Sequence, residues 1–413
     1  MLKFLCKMLI FYNGFLCFYV NKQYFLKGEI LKNSVPVIVQ TVAKHSYWVE
    51  SIFTGLRQSA EKSDYELKFV GSVESVDKTM NRECETIIVI GYAVDWLQHT
   101  VDSLLKKGFQ PIIANAWISP AMLKYCNGVS FGLEESVENC IKYLSAAGRN
   151  KISLFGTNSI SLADRFKEET FKRVVKNYNE DGNVLILPGE NPISEHIEVF
   201  LKRFEEMDID AVICPNDTVA IQLINRMLKD GFKIPEDLYI IGMGNSLLGQ
   251  KISIPLSSIV FDYEEMGRQA FSLWRYLQRS TGKVHMEVSI PCRFIPRAST
   301  GDFAQIETEF VSISDGEVTD KDLINEYDEF YEDIDVQKII KFEVFLRSCD
   351  EIDYCVLEGI IKGNSDAKMA EQYNISDRAI RYRINKMTKK LGVHTREEIA
   401  NILCELRAFG GEH

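Results

Sequence analysis

The sequence has few of the residues that chemistry usually needs. Its six histidines and ten cysteines form no Cys/His cluster and no C-x-x-C pair, so neither a zinc site nor a redox dithiol is indicated. The cysteines, scattered from Cys6 to Cys404, fit reduced thiols filling a core in a cytoplasmic protein better than disulfides. No P-loop occurs, and no cofactor is implied; an enzymatic role has no foothold. A long apolar run is also missing. The stretch Met8–Val20, after Lys3 and Lys7, is broken by Asn13-Gly14 and is shorter than the roughly 20 apolar residues that span a bilayer. It lacks a small-residue cleavage site. Residues 1–34 therefore stay open between an extra packed or poorly ordered segment, a weak membrane anchor and a signal peptide.

Positive charge is scarce too. The net charge of −11 over 413 residues argues against a chain coated in nucleic acid, so any DNA contact must come from a local patch. Residues 365–396 supply one: eight Lys/Arg against Asp366, Glu371 and Asp377 give +5. Between Asp315 and Asp335 the balance reverses, with ten acids against Lys321 alone. Such a run reads as a solvated linker or helix face, or as a screen that folds onto the basic patch.

What is abundant is short β-rich runs separated by helical stretches. They are Val35–Val39, Glu66–Val70, Thr86–Ile90, Pro111–Ile113, Ile152–Phe155, Val184–Leu187, Ala211–Cys214 and Leu238–Ile241. Alternation of this kind predicts βαβ units and a parallel sheet covered on both faces. Residues 35–301 are too many for one sheet of typical size, which predicts two doubly wound lobes, about 35–148 with 259–283 and 149–258 with 284–301. An acidic linker at 302–345 and an all-α domain at 346–413 complete the expected organisation.

In that tail, helices are predicted over Asp350–Ile361, from Ser365 to a turn at Asn374, and over Asp377–Leu391, with Gly363 and Gly392 as stops. Thr395 and Glu398 form a capping box for a fourth. In the third helix Ile380, Ile384, Met387 and Leu391 fall within about 60° of one another and face the core. Arg378, Tyr382, Asn385 and Lys389 lie opposite, flanked by Arg381 and Lys386. Arg can pair with guanine edges, Asn with adenine and Lys with phosphate, and Lys390 and Arg396 extend the basic face. An ordinary basic surface helix is the alternative.

The strings Val356-Leu357, Gly363-Asn364-Ser365, Met369-Ala370, Ile375-Ser376, Ile380-Arg381, Lys390-Leu391-Gly392-Val393 and Arg396-Glu397 resemble the LuxR/GerE-type DNA-binding domain. That resemblance implies a helix-turn-helix that binds duplex DNA, usually as a dimer. Upstream, Ala211–Ile221 with its Pro215-Asn216-Asp217-Thr218, then Gly231–Asp237 with Ile240-Ile241-Gly242, then Pro255–Ile259 with Glu265-Met266-Gly267, and Pro296–Gly301 resemble the effector-binding core of the LacI/GalR-type family. This implies two periplasmic-binding-protein-like lobes joined by three crossovers, a small-molecule effector in the cleft, and a homodimer. By register with that family, Tyr47, Trp48, Trp117, Asn216 and Asp217 are cleft candidates, with Arg165 or Lys167 as the cation; Asp217 is open between helix capping and ligand binding. Gly132 and Gly244 stand where sugar-binding members carry acids, which points to a ligand with a flat or anionic part over a neutral sugar. The family's DNA-binding head is N-terminal, whereas residues 1–34 show no helix-turn-helix. A solute-binding or membrane-anchored sensory protein is the competing expectation, against which the C-terminal domain speaks.

Overall fold

A computed structural model describes residues 34–44, 46–76, 85–178, 186–188, 193–280, 284–301 and 329–410. The apolar segment Met8–Val20 and the acids from Asp315 to Asp328 lie outside them. The described residues fall into two compact units. One takes the chain up to Gln250 and Ile254–Ile340, the other Lys251–Ser253 and the chain from Lys341.

The first unit is α/β. Its first lobe opens with β1 (Ser34–Val39), α1 (Tyr47–Glu61), β2 (Glu66–Val70), β3 (Thr86–Ile90) and α2 (Val94–Lys106). β4 (Gln110–Ala114), α3 (Pro120–Leu123), β5 (Asn127–Phe131) and α4 (Leu133–Ala146) follow. The second lobe continues with β6 (Ile152–Thr157), α5 (Leu162–Val175), β7 (Ile186–Pro188), α6 (Ile193–Met207) and β8 (Ala211–Ile213). It then adds α7 (Asp217–Lys229), β9 (Tyr239–Met243), α8 (Leu247–Lys251) and β10 (Ser257–Val260). The chain returns to the first lobe for α9 (Tyr263–Arg279) and β11 (Glu287–Ile290), and crosses back for β12 (Arg293–Ile295). Two six-stranded sheets result, in the orders β11-β5-β4-β3-β1-β2 and β12-β10-β9-β8-β6-β7. All pairings are parallel except β10 with β12.

Two predicted boundaries are corrected. Residues 284–301 were expected in the second lobe, but Glu287–Ile290 pairs with Gly128–Phe131 at the edge of the first sheet, so the last crossover comes after Ile290. Ile259 and Val260, expected in the first lobe, belong to β10 in the second sheet.

The central strands are buried on both faces, which is why they read as unbroken apolar runs; every residue of β3 is buried. Helices cover them with one apolar stripe each. In α2, Val94, Leu97, Val101 and Leu104 recur at spacings of three and four, and all are buried.

One helix pair packs more closely than side chains allow. A Cβ on Gly55 of α1 would lie 1.9 Å from the Glu264 carbonyl oxygen, and one on Gly267 of α9 would lie 2.1 Å from that of Ile52. The two helices therefore touch backbone to backbone, and their N-terminal residues Tyr47, Trp48 and Tyr263 are held together. The rings of Tyr47 and Trp48 lie 6.2 and 6.1 Å from that of Tyr263.

The first unit ends with α10 (Glu329–Glu332) and the start of α11 (Ile334–Arg347), within which the chain passes to the second unit. That unit is helical: α12 (Glu351–Ile361), α13 (Asp366–Tyr373), α14 (Asp377–Leu391) and α15 (Arg396–Glu405) follow. The expected linker at 302–345 is thus corrected for its described part: Val336, Ile339, Phe342 and Phe345 are buried at three-residue spacing on α11, so these residues form a packed helix.

Substituting Gly267 by Ala should separate α1 from α9. The expected loss is about 1–3 kcal/mol, the usual range for forcing atoms into a full core, read by urea denaturation. An unchanged midpoint would show that the contact is not needed.

A cleft between two sheets and an exposed basic helix

The C-terminal ends of both sheets face one cleft, the place where open α/β sheets bind ligands. A cavity of about 120 Å³ remains there, lined among others by Tyr47, Trp48, Tyr92, Asn115, Asp164, Lys167, Asn216 and Tyr263. One rim is stitched by backbone. Val94 N–H donates to the Ile160 carbonyl (3.0 Å) and Leu162 N–H to that of Tyr92 (2.9 Å), around a bridge between Ala93 and Ser161. Beside it Trp117, from the first lobe, stacks on Phe166 of the second, with centroids 4.1 Å apart and planes 10° from parallel.

The sequence candidates divide between the cavity and its supports. Tyr47, Trp48 and Asn216 line the cavity, and the Asn216 side chain also caps α7 by accepting from Val219 N–H at 2.9 Å. Asp217 is buried behind it. Its Oδ1 accepts from Ser258 Oγ at 2.6 Å and its Oδ2 from Ser246 N–H at 2.5 Å, tying α7 to the chain after β9 and to β10. Trp117 and Arg165 are likewise not among the lining residues. Arg165 Nε donates to the Ser159 carbonyl. Lys167, the alternative register, is the cation of the cavity: its Nζ donates to Asp164 Oδ1 (2.7 Å) and to the Pro215 carbonyl (2.8 Å). Gly244 has φ +128°, and a Cβ there would lie 2.4 Å from Tyr47 Oη. The tyrosine phenol thus occupies the space a side chain at 244 would need.

Sequence reading missed Tyr92 and Asn115. Both follow the C-terminal end of a strand, the one positional signal that points to them. Asn115 is 3% exposed; its Oδ1 accepts from Ala116 N–H, while its Nδ2 is buried with no partner. An unpaired buried donor costs about 1–3 kcal/mol, so this amide invites an acceptor.

In the second unit the turn between α13 and α14 is built on Asn374 in the left-handed conformation (φ 53°, ψ 46°), with Ser365 and Ser376 capping the helices on either side. Ile380, Ile384, Met387 and Leu391 of α14 are buried. Arg378, Arg381, Tyr382, Asn385 and Lys389 are exposed, Tyr382 by 70%. The remaining basic candidates are engaged. Lys386 Nζ lies 3.5 Å from Asp353 Oδ2, Lys390 Nζ 3.4 Å from the Ser348 carbonyl, and Arg396 pairs with Asp366 at 3.1 Å and with the Asn364 carbonyl. The capping box at α15 is shifted. Thr395 Oγ1 accepts from Glu398 N–H, but the Glu398 carboxylate accepts from His394 N–H instead of Thr395 N–H.

Arg383 turns inward and joins α14 to α12. It donates to both oxygens of Asp350 at 2.8 Å and to Asp353 Oδ1 at 2.5 Å, a carboxylate 2% exposed. These hydrogen bonds hold the Asp350 carboxyl below the usual carboxylate range. A carboxyl lowered in the folded state stabilises fully above its ordinary pKa of about 3.9 and loses that contribution as pH falls through the folded value. The second unit should therefore weaken in acid, and Asp350→Asn should flatten this acid limb in denaturation curves taken at pH 7 and pH 3. Arg383→Met leaves Asp353 buried with Lys386 and the Asp350 N–H as its remaining partners, and should cost about 3 kcal/mol at pH 7. Parent-like stability for both would disprove the role given to this cluster.

Residues 141–300 match the profile described as "Periplasmic binding protein-like domain", and residues 353–403 that of "Bacterial regulatory proteins, luxR family". The NTD biosynthesis operon regulator NtdR of Bacillus subtilis is 28% identical over 165 residues, 39% of this chain and 50% of the relative. The HTH-type transcriptional repressor PurR of Vibrio vulnificus is 32% identical over 37% of this chain and 46% of its own length. The chain spans about half the length of these curated relatives. Among solved structures, a LacI family transcriptional regulator from Enterococcus faecium with bound ribose superimposes with a TM-score of 0.53 at 19% identity, covering 66% of this chain and all of that one. The transcription regulator CcpA of Lactococcus lactis gives 0.54 at 20% identity, covering 65% and 99%. The chain thus joins a periplasmic-binding-protein-like α/β domain, of the kind found in LacI/GalR-type regulators, to a luxR-type helix-turn-helix domain at its C-terminal side.

Proposed function

We propose that the protein is a one-component transcription regulator that binds duplex DNA through the exposed face of α14 and senses a small molecule in the cleft between its lobes. It acts in the cytoplasm as a homodimer, as its resemblances imply. The observation that carries the reading is that Arg378, Arg381, Tyr382, Asn385 and Lys389 are exposed on one face of the second helix of a helix-turn-helix. No catalytic step is assigned to any residue.

The exposed cations also revise which residues meet phosphate. Lys386, Lys390 and Arg396 are half-buried in contacts with other parts of the domain, whereas Arg381 reaches only back to the Asp377 carbonyl of its own helix at 3.4 Å and stays exposed, so phosphate neutralisation falls to Arg378, Arg381 and Lys389. About 0.9 is lost from the slope of log affinity against log salt for each phosphate contact removed. Lys389→Ala in the full chain should lower that slope and weaken all sequences alike. Arg381→Ala and Asn385→Ala should each cost about 1–3 kcal/mol at one operator position and relax its base preference. Equal losses on operator and random duplexes for all three variants would place the recognition face elsewhere.

The cleft favours a ligand rich in acceptors. Asn115 Nδ2 is unpaired, whereas the Asp164 carboxylate is taken by Lys167 and by Asn158 N–H. Aromatic walls from Tyr47, Trp48, Tyr92 and Tyr263 suit a flat body. A small planar compound bearing a carbonyl or carboxylate fits this better than a neutral sugar, whose hydroxyls need acceptors as well as donors. In a thermal-shift screen of the full chain, such compounds should raise the melting temperature. Asn115→Ala should weaken the one that does by about 1 kcal/mol, the net value of one hydrogen bond. A response confined to neutral monosaccharides would refute the ligand class.

A further inference from the structure

The mouth of the cleft is crossed by the chain itself. Tyr331, inside the acidic stretch, packs into the first lobe: its ring lies 5.5 Å from that of Tyr92, and its Oη accepts from Trp48 Nε1–H at 3.4 Å. Phe330 meets it edge to face at 5.2 Å, and both residues line the cavity. Two residues on, Asp333 grips the second lobe. Its Oδ2 accepts from Ile193 N–H at the start of α6 (3.1 Å), while its Oδ1 accepts from Asp335 and Val336 N–H (2.8 and 3.1 Å) and so caps α11. Gln337 Nε2 donates to the Tyr331 carbonyl at 3.0 Å, fixing the turn between them. A segment of four residues is thereby bonded to both lobes at once.

The room left is small. Ligand clefts usually enclose about 300–1,000 Å³, and here about 120 Å³ remains once Phe330 and Tyr331 are in place. The aromatic pair occupies space that a ligand would take, against the aromatic walls a flat ligand would use.

We propose that Phe330 and Tyr331 are a tethered occupant of the cleft, an internal competitor that any effector must displace. Because the pair is attached by a short chain, it is present at an effective concentration of roughly millimolar, so a free ligand binds against it and not into an empty site. Displacement also frees the stretch that leads directly into α11, the helix within which the chain passes from one compact unit to the other. Occupancy of the cleft is thus linked by covalent structure to the start of the DNA-binding unit. The occupancy by Phe330 and Tyr331 stands on the contacts alone; its regulatory meaning rests on the sensing function proposed above.

The test uses the full chain, the Phe330→Ala/Tyr331→Ala variant, and benzoate as a small planar carboxylate. Acrylamide quenching of Trp48, taken as the difference from a Trp48→Phe control in each background, should rise in the variant because the residue that covers it is gone. Benzoate should bind the variant about tenfold more tightly than the parent, by calorimetry, since the internal competitor is removed. Equal quenching of Trp48 in both proteins overturns the proposal. Increased quenching with no benzoate binding in either protein upholds the tethered occupant and counts against the ligand class. Should the double variant fail to fold, Asp333→Ala, which removes both the bond to α6 and the cap of α11, must raise Trp48 quenching in the same way, and a parent-like value there overturns the proposal.

Discussion

Everything at the cleft depends on how closely two helices approach. With no Cβ at Gly55 or Gly267, α1 and α9 meet through their backbones, and both helices start at the cavity. The chain needs this because α9 is a late return from the second lobe, some two hundred residues after α1. A side chain at either glycine would push the helix starts apart and spread Tyr47, Trp48 and Tyr263, the aromatic floor of the site. Packing in a dense interior propagates such a shift instead of absorbing it. Two residues with no functional groups therefore control the shape of the recognition surface more than any polar contact in it.

Much of the fold could be read from the sequence because the central strands are buried on both faces, leaving runs such as Thr86–Ile90 with no polar break. Four strands escaped notice: β5 is buried but broken in sequence by Asn127, Gly128 and Ser130, and the other three lack that signature for identifiable reasons. β10 is Ser257-Ser258-Ile259-Val260, and its serines are buried because Asp217, Arg297 and Thr300 satisfy their hydroxyls; serine pairs otherwise read as loop. β11 and β12 lie at sheet edges with Glu287 and Arg293 exposed, so their pattern is short and half polar. Local capping chemistry was easier. Asn374, Ser365, Ser376 and Gly392 stand where the helix-turn-helix requires them because each side chain, or its absence, acts on its own backbone.

The cleft was less legible, since it is assembled from residues far apart in the chain. Asn115 and Tyr92 belong to no motif and are recognisable only by their place after a parallel strand. Arg165 and Lys167 could not be separated by register alone, but on a helix Asp164 and Lys167 share a face at a spacing of three while Arg165 points about 100° away. Asp217 has the composition of a ligand-binding acid and the position of a structural one, and its serine partners become visible only when β10 is in place. The Phe330–Tyr331 pair was hidden by the acidic run around it, which drew attention to charge and away from the two rings.

The backbone stitch between Ala93 and Ser161 sets the resting balance of the lobes. Its two hydrogen bonds are worth about 1 kcal/mol each, and together with the stacked Trp117 and Phe166 they favour the arrangement described by a few kcal/mol. An opened form is then a minority of order one per cent or less. A ligand that requires the opened form would show an affinity weakened by that same fraction. The strength of sensing would be governed as much by a short piece of backbone at the rim of the cleft as by the side chains that touch the ligand.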